Sequence, residues 1–376
     1  MNTRREFLTS LAVAGALVQT ADGAPDDSPG EWRNRQPGMA YRRLGRTGFH
    51  ISEIVMGGNT IAPDNYEHVL AAIDHGLNYL DTAPAYGKGK SEEGYARVLK
   101  ARPRDKVFLN SKISLWDINR NALFQTIYES LPGIEQERFR TKALDYIEER
   151  KANQPDYFVN YFDGQKSELD DAAISAVLEK EYGRKIDRDK NYKQLILRSV
   201  DESLKRLGTD HLDLMMCPHG ANTPYELTNF PEVFDAFEQV KKAGKVRYLG
   251  VSAHTDPAGV LNAAIGSGVY SAAMVAYNVV NHSHVDAALA RAKQSDFGVI
   301  AMKVARPVHP GRSPADPARV KLIQDAVAGD MKVPQKAYLW ALRNANLTAA
   351  VSEMTNQQLV DDNLPLAGKT PVPNSK

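Results

Sequence analysis

Residues 81–92 read Asp81-Thr82-Ala83-Pro84-Ala85-Tyr86-Gly87-Lys88-Gly89-Lys90-Ser91-Glu92. The apolar run Leu77–Leu80 precedes them, and an amphipathic pattern, Ser91–Lys100, follows. An acid therefore stands at the C-terminal end of a strand, and glycines let the next loop bend tightly with a tyrosine on it. The unit fixes the architecture because it repeats. Further strand-like runs are Glu53–Met56, Val107–Ser111, Leu212–Met216, Val246–Val251, Ala272–Ala276, Val299–Met302 and Thr348–Val351. Helical patterns at His68–His75, Lys193–Leu207, Pro231–Ala243, Pro257–Ser267, Val285–Gln294 and Val333–Arg343 follow most of them. Eight β-then-α units predict an α/β protein built as a (β/α)8 TIM barrel. The alternative, a doubly wound open sheet, would open on a glycine-rich dinucleotide loop after its first strand, and none is present.

One unit is oversized. Residues 113–192 separate the third strand from its helix and are rich in charge and aromatics, with helical patterns at Asn119–Ser130, Glu135–Glu149 and Leu169–Lys180. Loops after barrel strands lie on the catalytic face. The insertion is thus expected to wall or cover the site as a lid; an oligomer contact or packing on the barrel's side is the competing reading.

The chain has 376 residues, 43% of them hydrophobic, enough for one barrel over residues 39–376. Its formal charge of +1 gives no support to a nucleic-acid partner. Cys217 is the only cysteine, so intramolecular disulfides and cysteine metal clusters are excluded, and no metal site is expected. At the N-terminus, Thr3-Arg4-Arg5-Glu6-Phe7-Leu8 precedes an apolar stretch, Leu11 to Val18, too short to span a bilayer. Residues 1–24 read as a twin-arginine signal, which predicts export to the periplasm by the twin-arginine machinery and no stable membrane anchor. Residues 25–38 read as a linker.

Four side chains at strand ends converge at the barrel mouth: Asp81, Tyr86, Lys112 after the third strand and His219 after the fourth. Reducing a carbonyl requires a proton donor to the developing alkoxide. A tyrosine ordinarily titrates near 10, an ammonium beside it favours phenolate, and a carboxylate keeps that ammonium charged. His219 can hydrogen-bond the substrate oxygen. Singly, each has a plainer role as cap, packing aromatic, solvated lysine or structural histidine.

With these residues in order, the chain resembles the aldo-keto reductase family. Tyr41-Arg42-Arg43-Leu44-Gly45-Arg46-Thr47-Gly48 is similar to that family's opening hairpin, and Asp81 to Glu92 to its central motif. Ser203 to Gly208 with Leu212-Asp213-Leu214, then Gly250-Val251-Ser252, Tyr277-Asn278 and Asp362-Asn363, recur in family order. The resemblance implies a nicotinamide cofactor across the C-terminal mouth, the tetrad Asp81, Tyr86, Lys112 and His219, and hydride exchange with a carbonyl or alcohol. Cofactor contacts are expected from Gly57, Gly58, Asp81, Ser252, Tyr277, Met302, Lys303, Asp362 and Asn363, and substrate contacts from Asn59, Trp116 and His219.

Several positions depart from the family pattern. Ala253 stands where an asparagine is usual, Met274 replaces a glutamine, and Met302 stands in the place of an aromatic platform. Glu353 falls where a base would grip a 2′-phosphate, which shades the cofactor from NADP towards NAD. Export adds a second expectation: a nicotinamide held tightly under the insertion and recycled in place, acting on a sugar or other polyhydroxylated compound. Two other readings stay open. One is an epimerase or lyase that uses bound NAD transiently; the other is a non-catalytic binding protein on a degenerated barrel.

Overall fold

The computed structural model describes residues 29–311 and 313–369. The expected signal, residues 1–24, lies outside them. Three short strands come first: β1 (Glu31–Trp32), β2 (Tyr41–Arg43) and β3 (Phe49–Ser52), with β2 and β3 antiparallel. Eight more strands close a parallel barrel: β4 (Ile54–Gly57), β5 (Tyr79–Asp81), β6 (Phe108–Lys112), β7 (Leu212–Met216), β8 (Val246–Ala253), β9 (Ala272–Ala276), β10 (Gly298–Met302) and β11 (Ala349–Ser352). Each matches an expected run to within a few residues, so the (β/α)8 reading holds.

Side chains alternate between the two faces of a strand. Val55, Tyr79, Phe108, Leu214, Met216, Ala272, Met274, Ile300, Met302 and Ala349 form the inner cluster, with Leu44, Phe49 and Ile51 of the hairpin packed into it. The hairpin thereby plugs the lower end. Residues between them, such as Leu80, Leu109, Met215, Val251 and Val275, face the helices. The barrel is a packed core, and only its upper mouth is free for chemistry.

The helices are α1 (Glu67–Asp74), α2 (Lys90–Ala101), α3 (Trp116–Glu129), α4 (Gly133–Glu149), α5 (Gln165–Tyr182), α6 (Gln194–Leu207), α7 (Tyr225–Thr228), α8 (Pro231–Lys242), α9 (Pro257–Ser267), α10 (His282–Gln294), α11 (Pro317–Ala326), α12 (Val333–Leu342) and α13 (Gln357–Asn363). Helix α2 is locked to α6 by Glu92, which is fully buried and accepts from Arg206 Nε at 2.5 Å and Ser111 Oγ at 2.7 Å.

Residues 29–38 do not behave as the linker expected over 25–38. Strand β1 pairs in parallel with β3, and Trp32 stacks on His50 at 3.9 Å. Arg33 donates to Val107 O at 2.6 Å and pairs with Asp213 at 3.1 Å. Asp213, fully buried, also receives Arg104 and Arg247; burial pulls its carboxyl up, but Arg104, Arg33 and the Leu109 N–H hold it below the usual range. Polar composition suggested a spacer; specific partners on the barrel floor make it a clasp.

Helices α3, α4 and α5 build the insertion around two small cores, Phe124–Phe139–Leu178 and Ala143–Ile147–Leu169–Ala173. The segment joining α4 to α5 returns to the barrel. Asp256, at the N-terminus of α9, pairs with Arg150 and accepts from the Tyr157 hydroxyl at 2.5 Å. Further along, Asn278 donates to the Tyr161 hydroxyl at 2.7 Å, Arg306 Nε donates to Tyr161 O at 3.4 Å, and Phe162 packs edge-on against His254. Residues 157–162 thus form a strap over the C-terminal ends of β8, β9 and β10.

Candidate active site

Strand β5 ends at Asp81, and its loop climbs through Gly87, Lys88 and Gly89, all left-handed at φ 58°, 57° and 91°. Glycine adopts such angles freely, so the two glycines make the turn affordable and set Tyr86 at the mouth. Gly58 serves the same corner by closeness: a Cβ there would stand 2.1 Å from Asp81 O.

Strand β6 sends Phe108, Asn110 and Lys112 inward in alternation, and Ser114 follows the strand. Lys112 Nζ donates to Asp81 Oδ1 at 2.6 Å, to Thr82 O at 2.9 Å and to the Tyr86 hydroxyl at 3.1 Å. Asn110 Nδ2 adds a second bond to Asp81 Oδ1 at 2.6 Å. His219 stands edge-on to Tyr86, ring centres 5.6 Å apart, and its Nδ1 lies 2.7 Å from Ser114 Oγ. The four expected residues meet.

Burial dominates the electrostatics. It pushes the Asp81 carboxyl up against the pull of Lys112 and Asn110, and pushes the Lys112 ammonium down against Asp81. Tyr86 is raised well above its ordinary value by burial and then by the negative charges of Asp81 and Glu353. The expected lowering by Lys112 does not prevail, and at neutral pH the group is a neutral phenol. Its hydrogen bond from Lys112 gains strength only as the proton leaves. His219 is held well below its usual range by burial, Lys112 and Lys303, and is therefore a neutral imidazole.

Other expected residues divide. Gly57, Gly58, Ser252 and Met302 sit at the mouth, with Met302 Sδ 3.9 Å from Ser252 Oγ. Asn59 Nδ2 donates to Glu353 Oε1 at 3.1 Å on the rim. Asn363 Nδ2 donates to Ser352 Oγ at 3.2 Å at the end of β11. Lys303 follows β10 at φ 58°, out of the strand's alternation, and its ammonium has no ion-pair partner among the described residues. Three expectations fail on geometry. Tyr277 belongs to the outward set of β9; it stacks on Trp340 and its hydroxyl donates to Asp286 at 2.8 Å. Trp116 is wholly buried against Tyr192 and Phe230, so it is no substrate contact. Asp362 is committed to Lys332 at 2.6 Å.

Asn110, Ser114, His254 and Asp117 are the mouth groups that the sequence reading passed over. The first two were within reach of it, since they lie two residues either side of Lys112. His254 Nδ1 is buried without a hydrogen-bond partner. Asp117, beside Gly220, has a buried, unpartnered Oδ1, and its carboxyl is pushed up to about 7 by burial and by Glu226, with a smaller push from Glu168 and Arg120 pulling the other way. A carboxyl raised on folding contributes stability that is whole below its ordinary value and is lost as pH rises through about 7. Asp117→Asn should therefore gain thermal stability over the parent progressively from about pH 4 to about pH 7, then level off. A difference in Tm that stays constant across that range would refute the assignment.

Comparison with known proteins bears on the fold and the family. The model of the Aldo/keto reductase family matches residues 53–312, more than half of the chain. The aldo-keto reductase YhdN of Bacillus subtilis (strain 168) is 27% identical over 224 residues, 57% of this chain and 47% of that protein. The aldo-keto reductase AMT2 of Alternaria alternata is 26% identical over 227 residues, 57% and 49% of the two chains. The chain thus spans about half the length of the curated relatives it matches. Among solved structures, the holo form of aldo-keto reductase AKR11C1 from Bacillus halodurans superposes with a TM-score of 0.56 at 21% identity, over 89% of this chain and 92% of that one. An aldo-keto reductase from Klebsiella pneumoniae in complex with NADPH gives 0.52 at 18%, over 88% and 89%. A closed eight-stranded barrel, the Asp81–Tyr86–Lys112–His219 cluster and the matched family model lead to one conclusion: the chain belongs to the aldo/keto reductase family.

Proposed function

We propose that the protein is a nicotinamide-dependent oxidoreductase acting on a carbonyl/alcohol pair, with Tyr86 as the group that gives and takes the proton. The observation that carries this reading is the Asp81–Lys112–Tyr86 chain. A neutral phenol with an ammonium 3.1 Å from its oxygen is poised to release a proton, because the charge that develops is already compensated. His219 orients the substrate oxygen. The nucleotide, when bound, supplies the hydride.

The mouth fits such a group. Lys303 and Arg306, neither with an acidic partner within ion-pair distance among the described residues, would supply cations for its phosphates. Ser252, Met302 and Asn363 would line its path. Glu353 disfavours a 2′-phosphate and so favours NAD over NADP. A titration with each nucleotide of protein first stripped of any bound nucleotide, followed by fluorescence, tests the reading: saturable binding supports it, and absence of binding to either overturns it.

The strap over β8–β10 motivates a second element of the proposal, retention of the nucleotide between turnovers. That behaviour suits an exported protein, which residues 1–24 lead us to propose, since free nicotinamide is scarce outside the cytoplasm. Phe162, half-buried beside His254, is the insertion aromatic that could stack on a polyhydroxylated substrate. Nucleotide should be released on denaturing protein purified without added cofactor. Tyr157→Phe, which removes the bond to Asp256 and the one accepted from the Ala258 N–H, should speed nucleotide release by at least about tenfold in stopped flow, the effect of one to two hydrogen bonds. An unchanged release rate would take the strap out of the mechanism.

A further inference from the structure

Ser114 joins the two groups that face a substrate oxygen. It is buried, just beyond the end of β6, and its Oγ lies 2.7 Å from His219 Nδ1. The same oxygen accepts from the backbone N–H of Ala85 at 3.4 Å, the residue before Tyr86. A hydroxyl has one proton and two lone pairs. With Ala85 N–H on a lone pair, two arrangements remain. If His219 carried its proton on Nδ1, Ser114 would accept twice, and no acceptor for its own proton stands within hydrogen-bond distance among the described residues. If Ser114 donates to Nδ1, every group is satisfied, and the imidazole proton must sit on Nε2. Buried polar groups overwhelmingly adopt the satisfied arrangement. Protonation of both nitrogens is opposed by burial and by the cations Lys112 and Lys303.

We propose that Ser114 is a positioning residue: it fixes His219 as the neutral tautomer with its proton on Nε2, directed to the substrate oxygen, and ties that imidazole to the loop bearing Tyr86. This deepens the carbonyl/alcohol reading and rests on it. It divides labour within the tetrad. A neutral imidazole whose Nδ1 is occupied as an acceptor offers the substrate one donor and no base, so His219 orients and polarises the oxygen while the transferred proton belongs to Tyr86. Because Ser114 holds both His219 and Ala85, the distance between the two groups that receive the oxygen is set by one side chain.

The test uses the full-length protein labelled with 15N-histidine and saturated with nucleotide. Long-range 1H–15N correlation should show His219 with a pyridine-like Nδ1 and a protonated Nε2. In Ser114→Ala, that preference should be lost and the two nitrogen shifts should move towards each other. Reduction of 4-nitrobenzaldehyde by the variant should fall about tenfold in kcat, as for one lost hydrogen bond, with nucleotide Kd unchanged. Ser114→Thr keeps the hydroxyl and should restore both the tautomer and the rate. A proton on Nδ1 in the parent, or an unchanged tautomer in Ser114→Ala, would overturn the proposal. Should the tautomer behave as stated while the parent reduces no carbonyl, the reaction reading fails and the positioning role of Ser114 stands.

Discussion

Replacing Tyr86 by Phe should cut turnover by about 10²–10⁴-fold, the usual weight of one general acid. The barrel should be unaffected. The Tyr86 hydroxyl receives a single bond, from Lys112, and the loop that carries it keeps its two left-handed glycines. The loss should appear in kcat, with nucleotide Kd within about twofold of the parent, because the missing oxygen interacts with the transition state and not with the nucleotide's phosphates. Thermal unfolding and nucleotide titration on the same preparation make the comparison strict. Turnover within a few-fold of the parent, with binding intact, would mean that the proton comes from elsewhere. Asp117, with its carboxyl near 7, is then the next group to replace. The epimerase and lyase readings also make Tyr86 essential and differ in another observable: product would form with no net change in nucleotide absorbance.

The mouth was legible because a parallel barrel converts sequence order into spatial convergence. Asp81, Lys112 and His219 close or follow successive strands, and strand ends meet whatever the helices do. Strand alternation carries more than the expected site used. It places Asn110 on the same inward face as Lys112, points Ser114 to the same mouth, and sends Tyr277 outward with Ala273 and Val275. Trp116 was misread for a different reason. Its partners are Tyr192, at the far end of the insertion, and Phe230, just before α8, and no local period announces either. The linker expected over 25–38 gave way at residues 29–38 for the same reason, since Arg33 finds Val107 O and Asp213, both far from it in sequence. Local pattern predicts elements and strand ends; partners separated by many residues belong to packing. The pKa of Tyr86 shows the same limit. Proximity to an ammonium could be inferred, but the depth of burial that outweighs it could not.

Lys112→Met should destabilise the protein by about 3–5 kcal/mol, the cost of leaving a buried carboxylate without its cation. Asp81 and Lys112 have side chains 3% and 1% exposed, 2.6 Å apart, so water cannot take over the lost charge. Burial already drives both members towards their neutral forms, and each opposes that drive in the other. With the ammonium gone, Asp81 keeps only Asn110 as donor and must either stay charged at high cost or take up a proton. The double variant Lys112→Met, Asp81→Asn removes both charges and should recover most of the stability, so the two changes will be strongly non-additive. Turnover should behave differently. The phenol oxygen of Tyr86 loses the ammonium that stabilises its developing charge in either variant, so the double variant should be folded, able to bind nucleotide and slow by at least about 10²-fold. Denaturant unfolding gives the first quantity and single-turnover reduction of an activated aldehyde the second. Recovery of both together would show that Lys112 serves only to hold the fold. Recovery of stability alone separates its two duties, one to Asp81 below it and one to Tyr86 above.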